Sequence, residues 1–436
     1  MTIALTHATI LDGTEHMEAQ PEMSLLVTDS GTIGQVAPSA DVTVPSGVRE
    51  VDLAGSYLLP GLVNMHVHFC GDGKPHSAGG ASDIIGKVTG NPLGRAYLRH
   101  VIERSANTDL MSGVTTVRGM GDPSWADVTI RDHIRAGNLT GPRMLCPGWG
   151  VTPPDGHGVG LIAQVCETPD DARALVREVF AHGCDLVKLF ITGGVFDATV
   201  AGEPGVLRMP LEMAQATVDE AHRLGLPCAA HVESTAGVER ALLAGVDTIE
   251  HGAPMTPKII ELFHHNGVGG TSSLTTTISP AIPLARMDAE RTHSTDVVMT
   301  NAKVVFDGIV ECARQALDND IPVGLGTDAG CPYVTQYDLW RELVYFHELV
   351  GVTNAFALHT ATEVNARLLG LGETCGTIAE GKAADLVVVD KDPLDDLEAL
   401  RDVRMVCMGG KLIERPHVRH LTDLDAELDQ ILHAKA

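Results

Sequence analysis

Apolar positions along the chain follow two different patterns. Before Pro60, short β-rich runs alternate with turn residues in TIALTHATILDG, EMSLLVTDSGTIGQVAPS and VREVDLAGSYLLP, as in small antiparallel sheets. The same grammar returns in GTIAEGKAADLVVVDKDP and VRMVCMGGKLIER, with Gly409-Gly410 as a hairpin turn. Two β-rich ends around a different middle predict one small sheet domain, built jointly from 1–57 and 373–420.

In the middle, short apolar runs alternate with long stretches of helical period, which is how βαβ units read in sequence. Eight runs occur: LVNMHVHF (62–69), VTTVRGM (114–120), RMLCPGW (143–149), LVKLFIT (186–192), LPCAAHV (226–232), VDTIEHG (246–252), VGGTSSL (268–274) and IPVGLGTD (321–328). Between most of them lie helical stretches such as DDARALVREVFAHG (170–183) and NAKVVFDGIVECARQALDND (301–320), the latter with apolar positions three to four apart. Eight units in succession predict a (β/α)8 TIM barrel over 58–372, beside a small β-sandwich formed by both chain ends and a C-terminal helix over 421–436. Gly/Pro-rich insertions at 70–94 and 195–210 follow the first and fourth runs. Active-site loops of a barrel sit at those positions, so both are read as lid or substrate loops.

Composition narrows the function. The 436 residues are 44% hydrophobic and 20% charged, ordinary for a globular chain with a large core. Lys and Arg total 31 against 57 Asp and Glu, and the net charge of -26 repels nucleic acid and anionic bilayers. Nine cysteines are scattered without a Cys-x-x-Cys pair, which suggests reduced, mostly buried thiols. The first residues carry no basic stretch followed by an apolar one, and no window approaches the roughly 18 apolar residues of a membrane span. A cytoplasmic location is expected.

The chemistry concentrates where a barrel places catalytic groups, at the C-terminal ends of its strands. His66 and His68 end the first run; their spacing of two puts both imidazoles on one face, able to share a cation. Lys188 lies in the fourth run, His231 ends the fifth, His251 the sixth and Asp328 the eighth. A lone histidine is more often structural than a ligand, and His100, His222, His264, His265, His347 and His359 are read that way. Six metal-competent groups at matching ends of five strands are improbable as independent accidents. Lys188 discriminates further, because an ammonium inside LVKLF costs several kcal/mol if unpaired. Burial lowers its pKa and frees a nucleophilic amine. Such an amine can take up carbon dioxide, giving an anionic carbamate able to bridge two cations.

With LPGLVNMHVHF, VTTVRGMGD, DLVKLFITGG, AAHVEST, TIEHG, GLGTDAG and EGKAADLVVVDKDP in place, the chain resembles the amidohydrolase superfamily, in its prolidase-like and imidazolonepropionase-like branches. The resemblance covers nearly the whole chain. It implies two divalent cations, zinc above all: His66 and His68 hold one, His231 and His251 the other, and carboxylated Lys188 bridges them. It implies that Asp328 binds the first cation and shuttles protons. The VKLFITGG string favours the two-metal branch over single-metal deaminases. The implied reaction is cleavage of an amide C–N bond by a metal-bridging hydroxide, and the family suggests a homo-oligomer.

Further residues bear on substrate. His157, in the loop PPDGHGVG, resembles a family histidine that contacts the substrate carbonyl or carboxylate. Glu233 lies two residues past His231 and points to the same face if the strand continues. A carboxylate there could bind a substrate cation or ring N–H, assist proton transfer, or cap the following helix. Arg118 is a structural ion-pair residue or a carboxylate binder. The substrate stays open between a dipeptide (Xaa-Pro-like) or N-acyl amino acid and a cyclic amide or imidazolone-like ring. A non-enzymatic scaffold is the third reading, against which stand six filled ligand positions.

Overall fold

Strands from both chain ends meet in one eight-stranded sheet. The computed structural model describes residues 3–75, 88–196, 198–292 and 294–433. Residues 76–87 of the first expected loop and Asp197 of the second lie outside them. Two compact units divide the chain: one holds the residues up to Asn64, Asn107–Val117 and Tyr337–Arg419; the other holds Met65–Ala106, Arg118–Gln336 and the residues from His420 onward.

In the first unit, Ile3–Ile10 pairs antiparallel with Gln20–Val27, and on its other side parallel with Arg49–Asp52 and then with Tyr57–Pro60. The strand changes partner around His7, whose φ of 50° breaks the extended run. Leu386–Val389, Val403–Met408 and Lys411–Ile413 continue the sheet antiparallel from Tyr57–Pro60. Gly409 and Gly410, with φ of 54° and 78°, form the two-residue turn between the last two, where left-handed backbone matches the strand twist. Alternate residues from both ends, including Leu5, Ile10, Leu25, Leu58, Leu386 and Val388, share one apolar core. The hydrogen-bonded ladder runs through all eight strands.

The second unit carries a seven-stranded sheet in the order Ala163–Val165, Gly150–Thr152, Val187–Phe190, Cys228–Val232, Thr248–His251, Ser273–Thr276, Val323–Leu325. Its pairings are all parallel. The four strands from Val187 to Thr276 are buried at every residue, which explains why they read as continuous apolar runs and not as alternation. Leu62–Val67, Val114–Gly119 and Arg143–Leu145 make a separate three-stranded sheet. An isolated parallel bridge links Val67 to Ala329.

Two expected strands shift for local reasons. RMLCPGW splits: Arg143–Leu145 ends before Pro147, and Gly148, at φ 64°, turns the chain into Gly150–Thr152 of the other sheet. VGGTSSL begins instead as a turn, because Asn266 Oδ1 accepts from the amides of Val268 and Gly270 and Gly269 is left-handed, so the strand starts at Ser273. The final helix, Thr422–His433, is tied within its unit by Glu427 to Arg291 at 3.4 Å. Among the described residues, no helix is long and apolar enough to cross a membrane.

Candidate metal centre

All six expected ligands come together in one unit. The rings of His66 and His68 lie 5.5 Å apart, those of His66 and His251 4.9 Å, and those of His231 and His251 4.7 Å. Asp328 Oδ1 lies 3.5 Å from His66 Nε2 and 3.4 Å from His68 Nε2. Lys188, on Val187–Phe190, is fully buried, with Nζ 5.2 Å from the centre of the Phe190 ring. His251 and Asp328 have left-handed backbone, φ 67° and 59°. For side chains with a Cβ that conformation is strained and concentrates at functional sites. It also interrupts strand alternation, so that neighbouring Glu250 and His251 can both reach His66.

The partners of His66 and His68 fix their tautomers. His66 Nδ1 donates to Glu250 Oε2 at 2.8 Å, and His68 Nδ1 to the Gly121 carbonyl at 2.8 Å, leaving each Nε2 lone pair facing Asp328. His251 Nδ1 lies 2.7 Å from Thr277 Oγ1. Glu250 was not singled out from the sequence, although a carboxylate inside the buried run TIEH carries the same warning as Lys188 inside LVKLF. Its other oxygen accepts from Arg118 Nη2 at 2.7 Å. The Arg118 guanidinium also donates to the Met65 carbonyl, Thr248 Oγ1 and Thr275 Oγ1. With Arg118 so engaged and only 4% exposed, its chemistry is that of a positioning residue for Glu250 and His66. A substrate carboxylate would have to displace Glu250, which argues against the binding role considered for Arg118.

Breaking this buried chain has a measurable cost. Glu250→Ala leaves Arg118 charged and uncompensated, so unfolding stability is expected to fall by about 3–5 kcal/mol. The double variant Arg118→Met/Glu250→Met should recover much of that loss. An unchanged urea midpoint for Glu250→Ala would show that the pair contributes nothing.

Burial dominates the electrostatics. It pushes the imidazoles of His66 and His231 well below their ordinary range, lowers that of His68, and brings His251 down to about 4. All four are therefore neutral near pH 7, the form that binds a metal. Burial likewise pulls the Lys188 amine down to about 8, against the opposing pull of Glu250 and Asp328. Burial alone would raise Asp328, but the surrounding imidazoles and Lys188 hold it below the usual carboxylate range. It stays ionised. The donor set fits a bound cation: ligand atoms of His66, His68 and Asp328 lie within 4.8 Å of one another. Asp328 Oδ1 and Lys188 Nζ are both buried without a hydrogen-bond partner, a state that native interiors seldom leave unresolved.

His157 stacks on His231, with centroids 4.4 Å apart and planes 2° from parallel. Gly194 permits that approach, since a Cβ there would come within 2.9 Å of His157 Cε1. Glu233 follows directly on Cys228–Val232 and its amide donates to Thr192 Oγ1. Ser234, not Glu233, supplies the side-chain cap of the helix Thr235–Ala244. Asp122 is a further residue the sequence did not flag: its carboxylate accepts from the amides of Phe69 and Cys70, directly after His68. Four of the histidines read as structural have partners, His222 with Asp247, His264 with the Asn319 carbonyl, His347 with the Val352 carbonyl and His359 with the Gly13 carbonyl.

The model of the Amidohydrolase family matches residues 57–413. The chain belongs to the amidohydrolase family. A crystal structure of a protein provisionally assigned as a prolidase, from Bifidobacterium longum, is similar to this amidohydrolase at a TM-score of 0.88, with 38% identity and 98% of each chain covered. A Xaa-Pro dipeptidase crystallised with methionine in its active site reaches a TM-score of 0.80 at 28% identity, covering 94% of this chain and 99% of that one. The ochratoxinase of Aspergillus niger is 24% identical over 391 residues, spanning 83% of this chain and 76% of its own. Such relatives imply a TIM barrel with a second domain, with which the mixed α/β sheets are compatible. They also make this amidohydrolase a metal-dependent hydrolase of carbon–nitrogen bonds.

Proposed function

We propose that this amidohydrolase is a binuclear enzyme cleaving the amide bond of a dipeptide, Xaa-Pro-like, or of an N-acyl amino acid, on a closed (β/α)8 barrel. Lys188 carries the reading: a fully buried amine without a hydrogen-bond partner, held among four neutral histidines and an ionised aspartate. Its lowered pKa makes the neutral amine accessible near neutrality. That amine adds to carbon dioxide and releases one proton, converting the unpaired base into an anionic ligand with two oxygens. His66, His68 and Asp328 would hold one divalent cation and His231 and His251 the other, with the carbamate of Lys188 between them. When bound, two such cations, zinc foremost, supply Lewis acidity and a water of lowered pKa.

The chain's own groups divide the rest of the work. Asp328 Oδ1, accepting no hydrogen bond, takes a proton from the attacking water and returns it to the leaving nitrogen. His157, stacked on His231, donates to the substrate carbonyl oxygen as charge develops there. Glu250 and Arg118 hold His66 in one tautomer throughout. The likeness to a Xaa-Pro dipeptidase supports a linear substrate. A panel of Xaa-Pro dipeptides, N-acetyl amino acids and cyclic amides, with products weighed by mass spectrometry, tests the assignment. Turnover of linear amides is expected; turnover of ring amides alone would transfer the enzyme to the cyclic-amide class.

A further inference from the structure

A cavity of about 220 Å3 opens beside the centre, lined among others by Gly193, Gly194, Val200, Pro204, Val206 and Arg208. Its inner wall is the Gly193-Gly194 peptide. The same two glycines touch the centre: His231 Nε2 lies 3.4 Å from the Gly193 carbonyl, and a Cβ on Gly194 would stand 3.5 Å from the same nitrogen. The cavity is thus one peptide away from the imidazoles. Its outer wall is formed by residues 198–208, which several bonds hold in place. Asn301 Oδ1 accepts from the Gly202 amide at 2.7 Å and Asn301 Nδ2 donates to the Val200 carbonyl at 3.1 Å. The amides of Gly193 and Arg208 donate to the carbonyls of Val206 and Ile191.

Among the lining residues is one cation without a protein partner. Arg208 Nε is buried with no hydrogen-bond partner, and among the described residues the side chain makes no hydrogen bond or ion pair. Arg208 itself is half-buried, and the fully buried arginines are matched: Arg118 with Glu250, Arg131 with Asp185, Arg341 with Asp338. Glu203, on the same lining, is exposed at the rim and leaves Arg208 unpaired. In a chain of net charge -26, an arginine left without an acid beside a catalytic centre is a place for an anion brought by the ligand. A guanidinium offers paired donors that match a carboxylate. Val200, Pro204 and Val206 offer apolar surface beside it.

We propose that Arg208 is the specificity residue for the substrate's free carboxylate, and that the group next to that carboxylate is apolar and packs on Val200, Pro204 and Val206. This rests on the hydrolase reading for the bond that is cut, but the recognition itself is a binding property. It places the scissile amide toward His157 and the free acid at Arg208, so that peptides blocked at the C-terminus are poor substrates.

The test compares N-acetyl-L-leucine with N-acetyl-L-leucinamide, which differ only in the terminal group, a carboxylate against a neutral amide. Isothermal titration calorimetry on the purified full chain should show the acid binding at least tenfold more tightly. Arg208→Gln should bring the ratio close to one, and Arg208→Lys should keep part of it. Equal binding of acid and amide to the unaltered chain, binding of neither, or an acid preference that survives Arg208→Gln would each overturn the subsite. Hydrolysis of N-acetyl-L-leucine is measured separately. An intact, Arg208-dependent preference without any turnover of linear amides counts against the hydrolase reading alone; turnover without that preference counts against the subsite alone.

Discussion

Lys188→Met is expected to lower kcat/KM for amide hydrolysis by about 10^3-fold or more, equivalent to about 4 kcal/mol of transition-state stabilisation. The metal-free protein should be as stable as the parent or more so. These two outcomes have separate physical origins. Lys188 is fully buried with no hydrogen bond to its amine, so the folded protein carries a desolvation cost that methionine, of similar length and without a polar terminus, removes. A lysine kept for stability would show the reverse, with unfolding made easier and turnover little changed. Loss of activity together with a higher urea midpoint is therefore diagnostic. Hydrolysis within a few-fold of the parent would remove Lys188 from the centre.

Asp328→Asn should cost about 10^2–10^4-fold in kcat, the range for losing a positioned proton-transfer group, while most of the bound metal is retained. The amide keeps one oxygen on the side of His66 and His68, 3.5 Å and 3.4 Å from Oδ1 in the parent. What it cannot do is accept and return a proton. Because the surroundings hold the parent carboxyl ionised well below neutrality, the parent should not lose activity through this group in mildly acidic buffer. Turnover and metal content measured on the same preparation separate the two roles. Unaltered turnover would show that Asp328 is not the shuttle, and loss of metal together with turnover would reduce it to a ligand.

The sequence carried the strands and the side chains that end them because parallel strands buried on both faces leave a plain apolar run, and a His, Lys or Asp inside such a run stands out. What it did not carry were the groups that act through other groups. Glu250 sits beside His251 and, in regular alternation, should face away from it. Only the left-handed backbone at His251 lets both reach His66. Arg118 was weighed as a carboxylate binder because nothing local shows that Glu250, far along the chain, engages its guanidinium. The break at Pro147-Gly148 and the Asn266 turn displaced two expected strands, since apolar runs do not reveal where side-chain hydrogen bonds end a strand. Arg208 is the converse. In a Gly/Pro-rich loop any arginine looks solvated, and its lack of a partner becomes informative only once the cavity is seen.

The most direct measurement is metal content, made on the parent and on Lys188→Met prepared identically with zinc and bicarbonate and analysed by plasma mass spectrometry. The proposed function predicts about two zinc ions per parent chain, and one or fewer in the variant, with turnover falling in step. A parent holding a single ion at full activity, or a variant that still holds two, would contradict it.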